Sequence, residues 1–121
     1  MSGGNIYVTT AHDRAARYYL TDSGESPFED WFFELDAQAA AKVSVALARL
    51  EQGNFSNVKS VGESVLEYLL KWGPGYRVYF GRDGDLLIVL LTGGTKQRQQ
   101  RDIVTAKELW IDYKRRRLLH R

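Results

Sequence analysis

The chain has 121 residues, 44% hydrophobic and 26% charged, which suits one globular domain with a substantial core and leaves little room for a second. Net charge is only +2 and cysteine is absent, which excludes disulfides, zinc–thiolate sites and thiol nucleophiles; two histidines near the ends, His12 and His120, leave little scope for a histidine metal site or a Ser/His triad. The charge is uneven: residues 1–65 hold 5 Lys/Arg against 9 Asp/Glu, residues 66–121 hold 12 against 6. A basic half suits a polyanion such as nucleic acid, and equally a solvated basic helix.

In chain order, residues 1–13 lack a hydrophobic period and are expected to be a loose lead-in, with the domain spanning 14–121. The start has neither a basic segment nor an apolar core, so no signal peptide is expected. The longest apolar run, Leu86 to Leu91, is six residues, far short of a membrane span, so a cytoplasmic protein without a membrane partner is expected. Arg17 to Thr21 is aromatic and β-prone, and Asp22-Ser23-Gly24 breaks it, predicting a first strand.

Ser26-Pro27-Phe28-Glu29 carries a capping residue, a proline at the first helical position and a glutamate able to close a capping box. Phe28, Trp31, Phe32 and Leu35 follow at helical spacing. Asp36 caps a second helix, with Ala39, Val43, Leu47 and Leu50 on one face and Gly53-Asn54 at its end. This helical hairpin has one apolar face that requires a sheet to cover.

Three strands are predicted in the second half. Val65 to Trp72 places Leu66, Tyr68 and Leu70 on one side and Glu67, Leu69 and Lys71 on the other. After the turn Gly73-Pro74-Gly75, Tyr76, Val78 and Phe80 face one way, Arg77 and Tyr79 the other. Asp83-Gly84 marks a hairpin, Leu86 to Thr92 a strand buried on both faces, and Gly93-Gly94 its end. A last helix over Gln99 to Arg117 carries the stripe Ile103, Ala106, Trp110 and Tyr113. The fold class is α+β, in the order β-α-α-β-β-β-α, with helices on a mostly antiparallel sheet.

Arg77 and Tyr79 share a strand face, Lys71 lies across the turn, and Lys96, Arg98 and Arg101 lead into the last helix. Brought together at one end of the sheet, these groups form a positive surface able to bind an RNA phosphodiester and to stabilise a pentacoordinate transition state. The plain alternative is an outward strand face beside a solvated helix start. Gly93-Gly94-Thr95-Lys96 lacks the spacing of a P-loop, so nucleotide hydrolysis is excluded. Asp83/Asp85 and Glu29/Asp30 are turn and helix-start chemistry. No metal site or cofactor is expected. With Tyr76, Val78 and Phe80 supplying the core, Arg77 is expected to point outward. Its loss should then cost no more than about 1 kcal/mol while lowering activity about 100-fold.

Five strings together are specific: Ser26-Pro27-Phe28-Glu29-Asp30-Trp31, Leu50-Glu51-Gln52-Gly53-Asn54, Asn57-Val58-Lys59-Ser60-Val61-Gly62, Gly73 to Phe80, and Gly93-Gly94-Thr95-Lys96 followed by Gln100-Arg101-Asp102-Ile103. Over Tyr18 to Arg117 the chain resembles the RelE/ParE superfamily of toxins from bacterial toxin–antitoxin modules, most closely its HigB-type addiction module killer protein branch. The resemblance implies a RelE-like fold and a ribosome-dependent mRNA endonuclease that needs no metal. The RNA 2′-hydroxyl is its nucleophile, and a cognate antitoxin, typically a small helix-turn-helix protein, restrains it. Binding to operator DNA is implied only for the antitoxin complex. The family's central arginine falls on Arg77 and its basic residue after the last strand on Lys96, with Lys71 close to the basic position of the preceding strand; Arg77, Lys96 and Tyr79 are the expected catalytic residues, and Lys71, Arg98 and Arg101 the expected substrate-binding ones. The chain departs from its relatives at Leu69, where the branch often has arginine, and at Asp102, where RelE has tyrosine. The ParE branch implies a different outcome on the same fold, poisoning of DNA gyrase without nuclease activity. A catalytically weak partner of the antitoxin is a third possibility.

Overall fold

The computed structural model describes residues 15–119. The expected lead-in over 1–13 and both histidines lie outside the described residues. The elements are β1 (Ala15–Tyr18), α1 (Pro27–Phe32), α2 (Ala37–Glu51), β2 (Val58–Gly62), β3 (Val65–Leu70), β4 (Tyr76–Asp83), β5 (Leu87–Gly94), a 3-10 turn at Lys96–Arg98 and α3 (Gln99–Leu119). One mixed sheet runs β1-β5-β4-β3-β2, with β1 parallel to β5 and every other pair antiparallel. The chain is therefore α+β. No helix among the described residues is long and apolar enough to cross a membrane.

Both N-terminal caps form as their sequences require. Ser26 Oγ accepts from the Glu29 N–H at 3.0 Å, and Asp36 Oδ1 accepts from the Ala39 N–H at 2.8 Å. The hairpin they start packs on one sheet face. Phe28, Val43, Ala46 and Leu50 meet Tyr68, Leu70, Val78, Phe80, Ile88 and Leu90 there. Gly53, at φ +84, lets the chain leave α2 through the left-handed region.

Several elements differ from expectation: β3 ends at Leu70 rather than Trp72, and α3 runs to Leu119 rather than Arg117. The first strand is Ala15–Tyr18 rather than Arg17 to Thr21, because pairing with β5 selects it: Ala15 lies opposite Leu87 and Tyr18 opposite Leu90. The second half holds four strands, not three. The additional one, β2, is short, polar and at the sheet edge, and takes its conformation from pairing with β3. Its hairpin turn, Glu63-Ser64, has both residues at positive φ (54° and 68°). Such a turn usually carries Asn-Gly, so its sequence gives no signal.

The opposite face of the sheet is a second core, not an open polar surface. Val65, Tyr79, Val89 and Leu91 pack against Ala106 and Trp110 of α3, with Ile103 and Tyr113 alongside. Gly81 makes this contact possible, since a Cβ there would lie 2.6 Å from the Trp110 ring. At the far end, the Tyr19 hydroxyl donates to Asp112 Oδ2 at 2.6 Å, tying the segment after β1 to the helix.

Candidate functional site

The polar groups singled out from sequence lie where β4 begins, β5 ends and α3 starts. Gly73 and Gly75, at φ +59 and +76, turn the chain from β3 into β4. Arg77 follows at once, and its Nη1 donates back to the Gly75 carbonyl at 2.7 Å. Its placement corrects the expectation of an outward side chain: Arg77 is 8% exposed and Tyr79 is fully buried. The reason is α3, whose apolar stripe needs a covering layer. Arg and Tyr supply apolar stems for it while keeping polar tips.

The partner of Arg77 is Glu67, which is 1% exposed and pairs with Tyr79 across the β3–β4 ladder. Arg77 Nε lies 3.8 Å from Glu67 Oε2, and Lys59 Nζ lies 3.8 Å from Oε1. Gln99, in the first turn of α3, donates to Glu67 Oε2 at 3.0 Å. The charge is thus held by a buried cation, a surface cation and one amide. Tyr79 lies beside this carboxylate. Burial first, then the charge of Glu67, pushes its phenol upward, so it stays protonated.

A bulge in β5 sets the other wall. Tyr79 pairs with Thr92 and Phe80 with Leu90, so Leu91 has no opposite number. The alternation of faces therefore flips at this point. Gly93 lies under Trp31 of α1 and Gly94 under Asp102 of α3. The Gly-Gly pair forms the last two residues of the strand, which ends at Gly94 rather than before the pair. A side chain at either glycine would overlap the group above it.

Asp102 Oδ2 is buried without a hydrogen-bond partner among the described residues, as are Glu67 Oε1, Arg77 Nε and the Tyr79 hydroxyl. Burial raises Asp102 above the ordinary carboxylate range, with Arg98 and Arg101 opposing. A carboxyl group raised in the fold contributes its stability fully below the unfolded value of 3.8 and loses it as pH rises through the folded value. Asp102→Asn is therefore expected to raise the melting temperature at neutral pH. The difference should close as pH falls below 3.8. A variant less stable than wild type at pH 7 in a thermal melt would refute this.

Outside the buried cluster lies an open depression of about 610 Å³, lined by residues 96 to 101. Lys96, Arg98 and Arg101 are all exposed there, and none has an ion pair with a carboxylate among the described residues. Lys96 meets Arg77 around one glycine: a Cβ on Gly75 would lie 3.1 Å from Arg77 Nη1 and 3.5 Å from Lys96 Cβ. The Lys96 N–H also donates to the Pro74 carbonyl at 3.4 Å. The structure thus joins Arg77, Tyr79, Lys96, Arg98 and Arg101 in one region, with the first two beneath and the other three above. Lys71 does not join them. It follows the end of β3 and lines a different cleft, beside α2.

Sequence reasoning missed Glu67, Gln99 and the environment of Asp102. The available signal for Glu67 was a single charge inside an otherwise apolar strand next to a strand carrying Arg77. Among the described residues, no group of three or more His, Asp or Glu side chains is arranged to hold a metal ion.

No protein-family model matches the chain. An uncharacterized protein of Haemophilus influenzae is 40% identical over 83 residues, covering 68% of this chain and 84% of that protein.

Proposed function

This chain belongs to the same family as the uncharacterized Haemophilus influenzae protein; from its own residues we propose that it is a RelE/ParE-like toxin that cuts messenger RNA on the ribosome. The observation that carries this reading is the open depression at the start of α3, where Lys96, Arg98 and Arg101 stand without carboxylate partners beside Arg77. Unpaired cations around an open hollow suit a phosphate backbone, whose binding releases counterions. The two-helix layer on one face and α3 on the other are compatible with the RelE-like arrangement.

In this reading the 2′-hydroxyl oxygen bonds to the adjacent phosphorus while the P–O5′ bond breaks, leaving a 2′,3′-cyclic phosphate and a 5′-oxygen that is protonated to a 5′-hydroxyl. The exposed cations hold the phosphate and offset the added charge of the transition state. Tyr79 remains protonated, so it is not the base. Water takes the 2′-hydroxyl proton and returns one to the departing 5′-oxygen. The cognate antitoxin would cover this surface.

The closed Glu67–Arg77 pair favours a second reading, a ParE-like gyrase poison or an inactive antitoxin partner, because it withholds the central arginine from solvent. Expression without antitoxin followed by mapping of transcript ends decides between them. Codon-phased cleavage supports the nuclease; gyrase–DNA breaks with intact transcripts support the poison; no toxicity supports the inactive partner. Simultaneous Lys96→Ala, Arg98→Ala and Arg101→Ala should keep the fold and reduce RNA affinity at least about tenfold. It should also flatten the slope of log affinity against log salt by about 2, as three lost single-strand phosphate contacts require. An unchanged slope would remove these residues from the interface.

A further inference from the structure

A second cationic hollow lies on the other flank of the Gly-Pro-Gly turn. It is a cleft of about 290 Å³ between α2 and the end of β3, lined by Lys42, Arg49, Asn57, Tyr68, Lys71 and Trp72 together with small apolar groups. Lys42 and Arg49 are seven residues apart on α2, two turns along one face. With Lys71 they form a trio of exposed cations, none with an ion pair among the described residues.

Trp72 gives the trio an aromatic surface. Its ring stacks with Tyr76 at 6.0 Å and 27°, which fixes its orientation. Lys42 Nζ lies over the ring, 5.3 Å from its centroid, so a base that stacks on this face displaces it. At the cleft wall, the Asn57 amide donates to the Tyr68 hydroxyl at 3.4 Å, placing polar groups within reach of a base edge.

Cations around a flat aromatic match a nucleotide better than an acidic peptide, because the peptide satisfies the charges but leaves the indole unused. They match a single strand better than a duplex, whose bases are already stacked. Position adds a further reason. Trp72 lines the cleft, and three residues on, Gly75 touches Arg77 and Lys96. Three residues span at most about 11 Å, and the intervening Gly73 and Pro74 are exposed and add little bulk.

The geometry points to the Trp72 cleft as a seat for one nucleotide of single-stranded RNA flanking the one held at Lys96, Arg98 and Arg101, its base on the indole and its phosphate among Lys42, Arg49 and Lys71. This rests on the RNA reading above. It gives Lys71 a role on the opposite flank from Arg77.

The test uses a fluorescein-labelled, non-cleavable 2′-O-methyl RNA of eight nucleotides, with binding read by anisotropy at fixed salt on the full chain. Lys42→Glu with Lys71→Glu changes two exposed positions, so the fold should persist, and binding should weaken at least tenfold. Trp72→Ala should weaken it about fivefold; if that variant fails to fold, the charge-reversal pair still decides. If Lys96→Ala, Arg98→Ala and Arg101→Ala abolishes binding while Lys42→Glu/Lys71→Glu binds like wild type, the RNA reading stands and the cleft is not a seat. If wild type does not bind the RNA at all, the seat for single-stranded RNA falls, while cleavage on the ribosome is still decided by the mapping of transcript ends. Uridine 5′-monophosphate binding as tightly as the octamer, with the same loss in the cleft variants, would overturn the strand in favour of a free nucleotide. A polyglutamate peptide that binds the cleft where RNA does not would overturn it in favour of an acidic partner.

Discussion

Replacing Arg77 with alanine is expected to lower stability by about 3–5 kcal/mol, read from the midpoint of urea unfolding. The loss arises from what is left behind. Glu67 is 1% exposed, and without Arg77 its carboxylate keeps only Gln99 and the long contact to exposed Lys59. A buried charge that loses a partner costs far more than an exposed one. The Gly75 carbonyl also loses its hydrogen bond from Arg77 Nη1. The expectation of a nearly neutral substitution, drawn from sequence alone, is therefore replaced. Arg77→Lys keeps a charge near Glu67 but lacks the planar fork that reaches both Glu67 and Gly75, so it should fall between alanine and wild type. The double variant Glu67→Leu/Arg77→Met removes both charges and should recover most of the loss. If Arg77→Ala is as stable as wild type, the pair is not structural. If the double variant is as unstable as the single, the buried charge is not the cause.

Gly93→Ala is expected to cost about 3 kcal/mol, at the upper end for overpacking a filled core. A Cβ at Gly93 would overlap the Trp31 ring. That ring cannot turn aside easily, because Phe28 packs at 5.7 Å and Tyr76 at 6.3 Å. Gly94→Ala meets a different obstacle, the Asp102 carboxylate, which ends a short side chain able to rotate. The cost at position 94 should therefore be smaller. Combining Gly93→Ala with Trp31→Leu should cost less than the two single changes added together, since the clash disappears. Thermal melts of the four variants check both statements. Equal losses at 93 and 94, or strict additivity, would contradict the contact.

Local order was legible in the sequence wherever one residue type answers one local need. Ser26 and Asp36 cap helices because their side chains bond the free N–H groups three residues on. Gly73 and Gly75 turn the chain because they accept positive φ. The stripe Ile103, Ala106, Trp110 and Tyr113 announced a helix with one buried face, and that face is buried. The basic character of residues 96 to 101 was equally plain, and those residues line an open depression.

What was not legible depends on contacts between distant segments. β2 is a strand through its pairing with β3, and its turn uses Glu63-Ser64 where sequence patterns look for Asn-Gly. The parallel pairing of β1 with β5 joins residues more than seventy positions apart. Which face of β4 meets solvent also could not follow from alternation. A strand with Tyr76, Val78 and Phe80 on one side and Arg77 and Tyr79 on the other suits a half-exposed sheet as well as one covered twice. Only the docking of α3 decided that Arg77 and Tyr79 are buried and that Glu67 shares their cluster, while α2 and the end of β3 form the separate cleft that Lys71 lines. The sequence by itself determined the capped helices, the strands with clear alternation and the location of the unpaired cations, because caps, turns and amphipathic periods are properties of a few neighbouring residues. The tertiary structure decided burial and partnership at the site, because the free energy of a charge depends on which distant surfaces exclude water from it.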